Sequence, residues 1–168
     1  MNPTQKQRAM DAFADDCEIT SYYFGFVDDF LSFEYDDGGD EIGTHELADE
    51  GFGEIVQGPT CAIGALIVDL WKGGELTSAS VESVMLYTND SGYSDLPTEV
   101  QDTLQKVYGL EPEQFHELQS INDRVSRLSG LTWNTSKPED MNAIYGDHIS
   151  TRESLVISTL LNFEEVKQ

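Results

Sequence analysis

The sequence predicts a mainly α fold, compact and single-domain, with an α+β variant left open by a small N-terminal β-hairpin. Three observations predict it. Apolar residues recur at steps of three and four through the C-terminal half. Proline and glycine fall where helices begin and end. Apolar residues make up 39% of 168 residues, which suffices to pack one interior without metals or disulfides. Residues 1–168 are therefore read as one domain, with an acidic, aromatic-rich part at 11–54 and a helical core at 60–168.

The first ten residues, Met1 to Met10, hold Lys6 and Arg8 and no acid. They lack the apolar stretch of a signal peptide. From Asp11 to Glu54 there are fifteen acidic residues and no Lys or Arg, and the next base is Lys72. Tyr22, Tyr23, Phe24, Phe26, Phe30, Phe33, Tyr35 and Phe52 are interleaved with these acids. A disordered acidic tail lacks such aromatics. The pattern fits a folded element with a charged outer face. Ile19 to Tyr35 suits a hairpin or a helix, and periodicity does not decide between them. Asp36-Asp37-Gly38-Gly39-Asp40 reads as a turn, and Gly51, Gly53, Gly58 and Pro59 as a flexible join.

The helical core begins with Thr60, a cap for a helix from Cys61 to Trp71 that Gly73-Gly74 stops. A short helix is expected over Ser80 to Tyr87. Pro97 suits the first position of the next helix, with Val100, Leu104 and Val107 as its apolar stripe and Gly109 just past its end. Pro112 opens another, whose buried face is Phe115, Leu118, Ile121, Val125 and Leu128, and Gly130 ends it. Ser150 and Glu153 form a capping box for a last helix bearing Leu155, Val156, Leu160, Phe163 and Val166.

Charge excludes several functions. The 32 acids outweigh the 9 bases, a formal net of −23. Binding to phosphate backbones is driven by Lys and Arg, so this chain repels nucleic acid and anionic membranes. Its natural partners are basic proteins or cations. No apolar run approaches the roughly 18 residues of a membrane span. Cys17 and Cys61 make no disulfide framework, which suits a cytoplasmic setting.

Catalytic motifs are wanting. His45, His116 and His148 are far apart, and no Cys or His lies at metal-ligand spacing. The loop from Asp36 to Glu41 lacks the ligand spacing and closing Glu of an EF-hand, so neither metal nor cofactor is expected. Gly51-Phe52-Gly53 lacks the context of a dinucleotide fingerprint. Cys61 lies at an expected helix N-terminus, which lowers a thiol pKa. The small residues Cys61, Ala62, Gly64 and Ala65 nevertheless read first as packing. Asn122-Asp123 falls on the polar side of its helix and suits a capping role.

Three segments carry a resemblance. Cys61-Ala62-Ile63-Gly64-Ala65-Leu66, Leu96-Pro97-Thr98-Glu99-Val100 with Gly109-Leu110, and Leu118-Gln119-Ser120-Ile121-Asn122-Asp123 resemble a loose group of proteins common in tailed bacteriophages and bacteria. The likeness covers Thr60 to Leu128. It implies a phage or mobile-element source and a compact helical core. No activity is attached to the group, so it implies no catalytic or binding residues. The acidic N-terminal third departs from the group, where that region is shorter and more basic.

The leading expectation is a non-enzymatic, phage-encoded binding protein of anti-restriction or anti-CRISPR type. It presents a DNA-like negative face, formed by Asp28, Asp29, Glu34, Asp36, Asp37, Asp40 and Glu41, to a basic host protein that handles nucleic acid. The alternative is a small enzyme or ligand-binding domain with a helical pocket around Cys61 and Asn122-Asp123. A third reading, a merely salt-adapted acidic surface, conflicts with ordinary numbers of Ile, Leu, Asn and Gln and with clustered acids. A homodimer through Leu155 to Phe163 is left open.

Overall fold

The computed structural model describes residues 1–13, 22–48, 50–120 and 122–123. The fold is mainly helical. Its elements are α1 (Pro3–Phe13), α2 (Val27–Phe30), β1 (Leu31–Tyr35), β2 (Glu41–Leu47), α3 (Gly51–Gln57), α4 (Ala62–Lys72), α5 (Ser78–Ser83), a π turn (Val84–Thr88), a 3₁₀ turn (Tyr93–Asp95) and α6 (Thr98–Tyr108). A further helix, α7, runs over 112–120.

Helix α4 is the axis of the core. Eight of its residues are buried: Ala62, Ile63, Gly64, Ala65, Leu66, Ile67, Val68 and Leu70. A helix apolar all round is stable only when other elements cover it. Helices α1, α5 and α6 pack on it, and each fully buried Leu or Ile contributes about 1.5–3 kcal/mol. Val100, Leu104 and Tyr108 are the buried residues of α6, so Tyr108 takes the place expected of Val107, which is only partly buried. Gly109 ends that helix at φ 66°, a left-handed conformation that glycine adopts without a Cβ penalty. Tyr93 stacks on Phe115 of α7 at 4.7 Å between centroids.

The acidic third is part of this core, since Phe13, Tyr23, Phe24, Val27 and Ile55 share one buried cluster with α4, α6 and α7. A two-stranded sheet is present: β1 ends the expected Ile19 to Tyr35 range and its partner β2 lies beyond it. Within that range residues 22–30 hold an isolated bridge and the single turn α2. The antiparallel pairing joins β1 to β2, Leu31 opposite Leu47 and Tyr35 opposite Glu41. Asp36 closes the turn between them, its carboxylate accepting from the Gly38 and Asp40 amides at 2.9 and 2.8 Å.

Other expectations need correction. The glycines at 51 and 53 do not make a flexible join: α3 forms there because Ile55 and Val56 are buried, and Phe52 meets Trp71 edge-on at 5.3 Å. The cap of α4 is Cys61, not Thr60. Thr60 instead pairs its backbone with Phe24. The helix expected over Ser80 to Tyr87 starts at Ser78, capped by Thr77, and becomes a π turn from Val84. Helix α1 has a start signal in Asn2-Pro3-Thr4-Gln5. Asn2 Oδ1 accepts from the Gln5 amide at 2.9 Å, and Gln5 Oε1 accepts from the Asn2 amide at 2.8 Å, a reciprocal capping box. The endings at Gly130 and the Ser150–Glu153 helix, with its Leu155 to Phe163 face, lie outside the described residues.

Arg8 fastens α1 to α4. Its Nε donates to Asp69 at 2.7 Å, and an Nη group donates to Glu75 at 2.7 Å. Tyr108 of α6 donates its hydroxyl to the same Asp69 oxygen that Arg8 binds. Arg8 thus forms ion pairs with both Asp69 and Glu75. The Arg8 hydrogen bond holds the Glu75 carboxyl below its ordinary range. A depressed carboxyl adds stability above its unfolded pKa of about 4.3, and the gain is lost as pH falls through the folded value. Arg8→Ala is therefore expected to lower unfolding stability by about 1–2 kcal/mol at neutral pH. Denaturant titration of both proteins tests this, and the gap should narrow as pH falls below about 4.

Candidate functional site

Two groups of residues come forward from the sequence, and the fold treats them differently. The first is the acidic set. Asp28 and Asp29 lie on α2, exposed, where the chain enters the hairpin. Asp36, Asp37 and Asp40 are exposed in the turn at the hairpin's other end. Glu34 and Glu41 lie in the strands, with Glu34 opposite Gly43 and Glu41 opposite Tyr35. All seven thus belong to one continuous stretch, α2 through the start of β2.

The scale of that stretch can be set against duplex DNA. Five strand residues extend roughly 17 Å. B-DNA of that length carries about ten charges. Of the seven acids, Glu34 and Glu41 lie in the two strands and the other five at the ends of the hairpin, so the strands alone do not reach that density. Asp36 differs from its neighbours, because its carboxylate is engaged by two backbone amides. Asp37 carries charge without that task.

The second group is Cys61 with Asn122-Asp123. The fold brings Cys61 and Asn122 together at the first turn of α4. Cys61 is a buried thiol, 1% exposed, whose Sγ accepts from the Gly64 amide at 3.3 Å. Asn122, 2% exposed, accepts from the Ala62 amide through Oδ1 at 2.9 Å. Both side chains satisfy amides at the start of α4 that have no partner within the helix. This is the capping role expected of Asn122, delivered to a helix sixty residues earlier. Cys17 lies outside the described residues.

The small residues of α4 do what their pattern predicts. The Tyr22–Gly25 segment runs alongside the helix start: the Cys61 amide donates to the Tyr22 carbonyl at 3.0 Å, and the Gly25 amide to the Pro59 carbonyl at 2.8 Å. A Cβ on Gly64 would overlap the Tyr23 carbonyl oxygen, so only glycine fits there. On its other side this segment is held by Asn89. The Asn89 amide group accepts from the Phe24 amide at 2.9 Å and donates to the Phe24 carbonyl at 3.0 Å. Gln119 of α7 donates to the Tyr23 hydroxyl at 3.0 Å. Burial, and next the nearby Cys61, push the Tyr23 phenol above its ordinary range, so it stays protonated.

Sequence reading missed Tyr87 and the Arg8 cluster. Tyr87 is 76% exposed on the π turn, against which β2 packs. No 3.6-residue pattern announces such a turn. Arg8 was legible as an isolated base, but its partners are 61 and 67 residues away.

No protein-family model, curated protein or solved structure matches the chain. The resemblance over Thr60 to Leu128 therefore brings no residue roles with it.

Replacing Asn122 with Ala leaves the buried Ala62 amide without its acceptor and is expected to cost about 1–3 kcal/mol. Denaturant unfolding measures it. Alkylation mapped by peptide mass spectrometry should label Cys61 only under conditions that unfold the chain. Rapid labelling of Cys61 in the native protein would contradict the packing role.

Proposed function

We propose that this chain is an acidic, non-enzymatic binding protein whose α2–hairpin face engages a basic protein that handles nucleic acid. The observation that carries the reading is the exposure of Asp28, Asp29, Asp36, Asp37 and Asp40 on a stretch with no Lys or Arg. Charges carried on folded elements do not average out as they would along a mobile tail, which supports a directed field. Complementary charge speeds association and selects the partner. By filling the positive channel of a defence nuclease, such a face would block its nucleic acid. The partner is then a bacterial restriction or CRISPR effector, and the source a phage. Glu34 and Glu41 extend the same stretch.

The alternative pocket around Cys61 and Asn122-Asp123 gains no favouring observation, because Cys61 Sγ and Asn122 Oδ1 both cap α4.

The test reverses Asp28, Asp29, Asp37 and Asp40 to Lys and leaves Asp36, which holds the turn. Fewer like charges should leave the melting temperature unchanged or higher. Immobilised wild-type chain should retain a basic nucleic-acid-handling complex from bacterial lysate, and duplex DNA should displace it. The variant should retain none. Equal retention by both proteins would sink the reading. A scatter of basic proteins lost at modest salt would reduce it to ion exchange.

A further inference from the structure

One pair of side chains outside both groups already described joins a nucleophile to a base. Ser94 Oγ lies 3.0 Å from His116 Nε2, within the reach that general-base activation of a hydroxyl requires. Ser94 is on the 3₁₀ turn and His116 on α7, and both are exposed, so a reagent in solvent can reach the hydroxyl. Neighbouring contacts hold the pair in place. The Tyr93 amide donates to Gln119 Oε1 at 2.9 Å, and Gln101 Nε2 donates to the Ser94 carbonyl at 3.1 Å. The 3₁₀ turn is thus fastened to α7 through Tyr93 and to α6 through Ser94. The Tyr93 ring also stacks on Phe115 and meets the His116 ring edge-on at 5.7 Å between centroids. A nucleophile and a base already held in reacting distance have less freedom to lose on the way to the transition state. Ser78 offers the contrast. It is exposed too, but its Oγ accepts from the Trp71 indole, a donor that cannot take a proton.

We infer that Ser94 is an activated hydroxyl, with His116 as its general base, that takes an acyl group from an activated ester. The bond from Ser94 Oγ to the ester's carbonyl carbon forms, and the bond from that carbon to the leaving oxygen breaks. The serine proton passes to His116 Nε2 and then to the leaving oxygen, so the products are acyl-Ser94 and an alcohol. Nε2 must accept, which places the neutral ring's proton on Nδ1. Asp95 adjoins the serine, and Glu113 and Glu117 flank the histidine on α7, all three exposed. Their charge favours a neutral or cationic ester over an anionic one. The inference goes beyond the acidic-face reading and uses none of its residues. One acylation per chain is a modification of the protein, not turnover.

The experiment mixes the full chain with p-nitrophenyl acetate, a neutral activated ester, at neutral pH. Samples are quenched in acid at intervals and acetylated serines are mapped by peptide mass spectrometry. Ser94 should be acetylated about a hundredfold faster than Ser78, the lower end of what a positioned base supplies. His116→Gln removes the base from an exposed position and should bring Ser94 down to the Ser78 rate, with the melting temperature unchanged. Equal rates at Ser94 and Ser78 in the wild-type chain overturn the inference, and that comparison needs no variant to fold. A Ser94 that reacts as fast in His116→Gln as in the wild type overturns it as well.

Discussion

The structure depends on how closely the Tyr22–Gly25 backbone approaches the first turn of α4. Gly64 admits that approach, the Cys61 amide and Tyr22 carbonyl fix it, and Thr60 pairs with Phe24 across it. Once the two backbones are joined, the rings of Tyr23 and Phe24 have nowhere to go but inward, and both are buried. The same contact decides where the acids stand. Val27 is buried one turn later, which leaves Asp28 and Asp29 facing water at the root of the hairpin. A charged segment that would repel itself as a free chain is thus tied to the core through its neutral residues.

Polar fastenings complete what apolar packing begins. Asn122 reaches α4 from the end of the described chain, Asn89 grips Phe24 through both its N–H and its C=O, and Arg8 closes α1 against α4 and α6. Asn122 satisfies an amide that burial has removed from water, and a buried polar group without a partner costs far more than a paired one gains. Arg8 is one of only two bases before Lys72. Its placement opposite Asp69 and Glu75 offsets repulsion where α1 meets α4 rather than at the hairpin.

Local physics was legible in the sequence, and remote pairing was not. Pro97, the Val100–Leu104 step and Gly109 announced α6 because caps and periodicity act within a few residues. Pro112 and Phe115–Leu118 announced α7 for the same reason, as Asp36 to Asp40 did the turn. Only the first strand of the hairpin fell inside Ile19 to Tyr35, because alternation there is weak and the partner strand carries Gly43, which no propensity favours. Helix α3 was hidden by its glycines, since tertiary burial of Ile55 overrides their cost. At the candidate site, composition revealed the acids and their exposure. It held no trace of Tyr87 beside β2, which requires the π turn.

That turn has a further meaning. A π turn amounts to one residue added to a helix. Each residue advances an α-helix by about 100°. Val84–Thr88 therefore sets the rotational phase between α5 and Asn89. With one residue fewer, α5 would keep its packing while Asn89 swung away from Phe24 by more than a quarter turn. The insertion works as a timing mark: it lets one end of the segment obey the helical core and the other obey the acidic lobe. A chain that lost it would keep α5 in place and give up the Asn89 hydrogen bonds to Phe24.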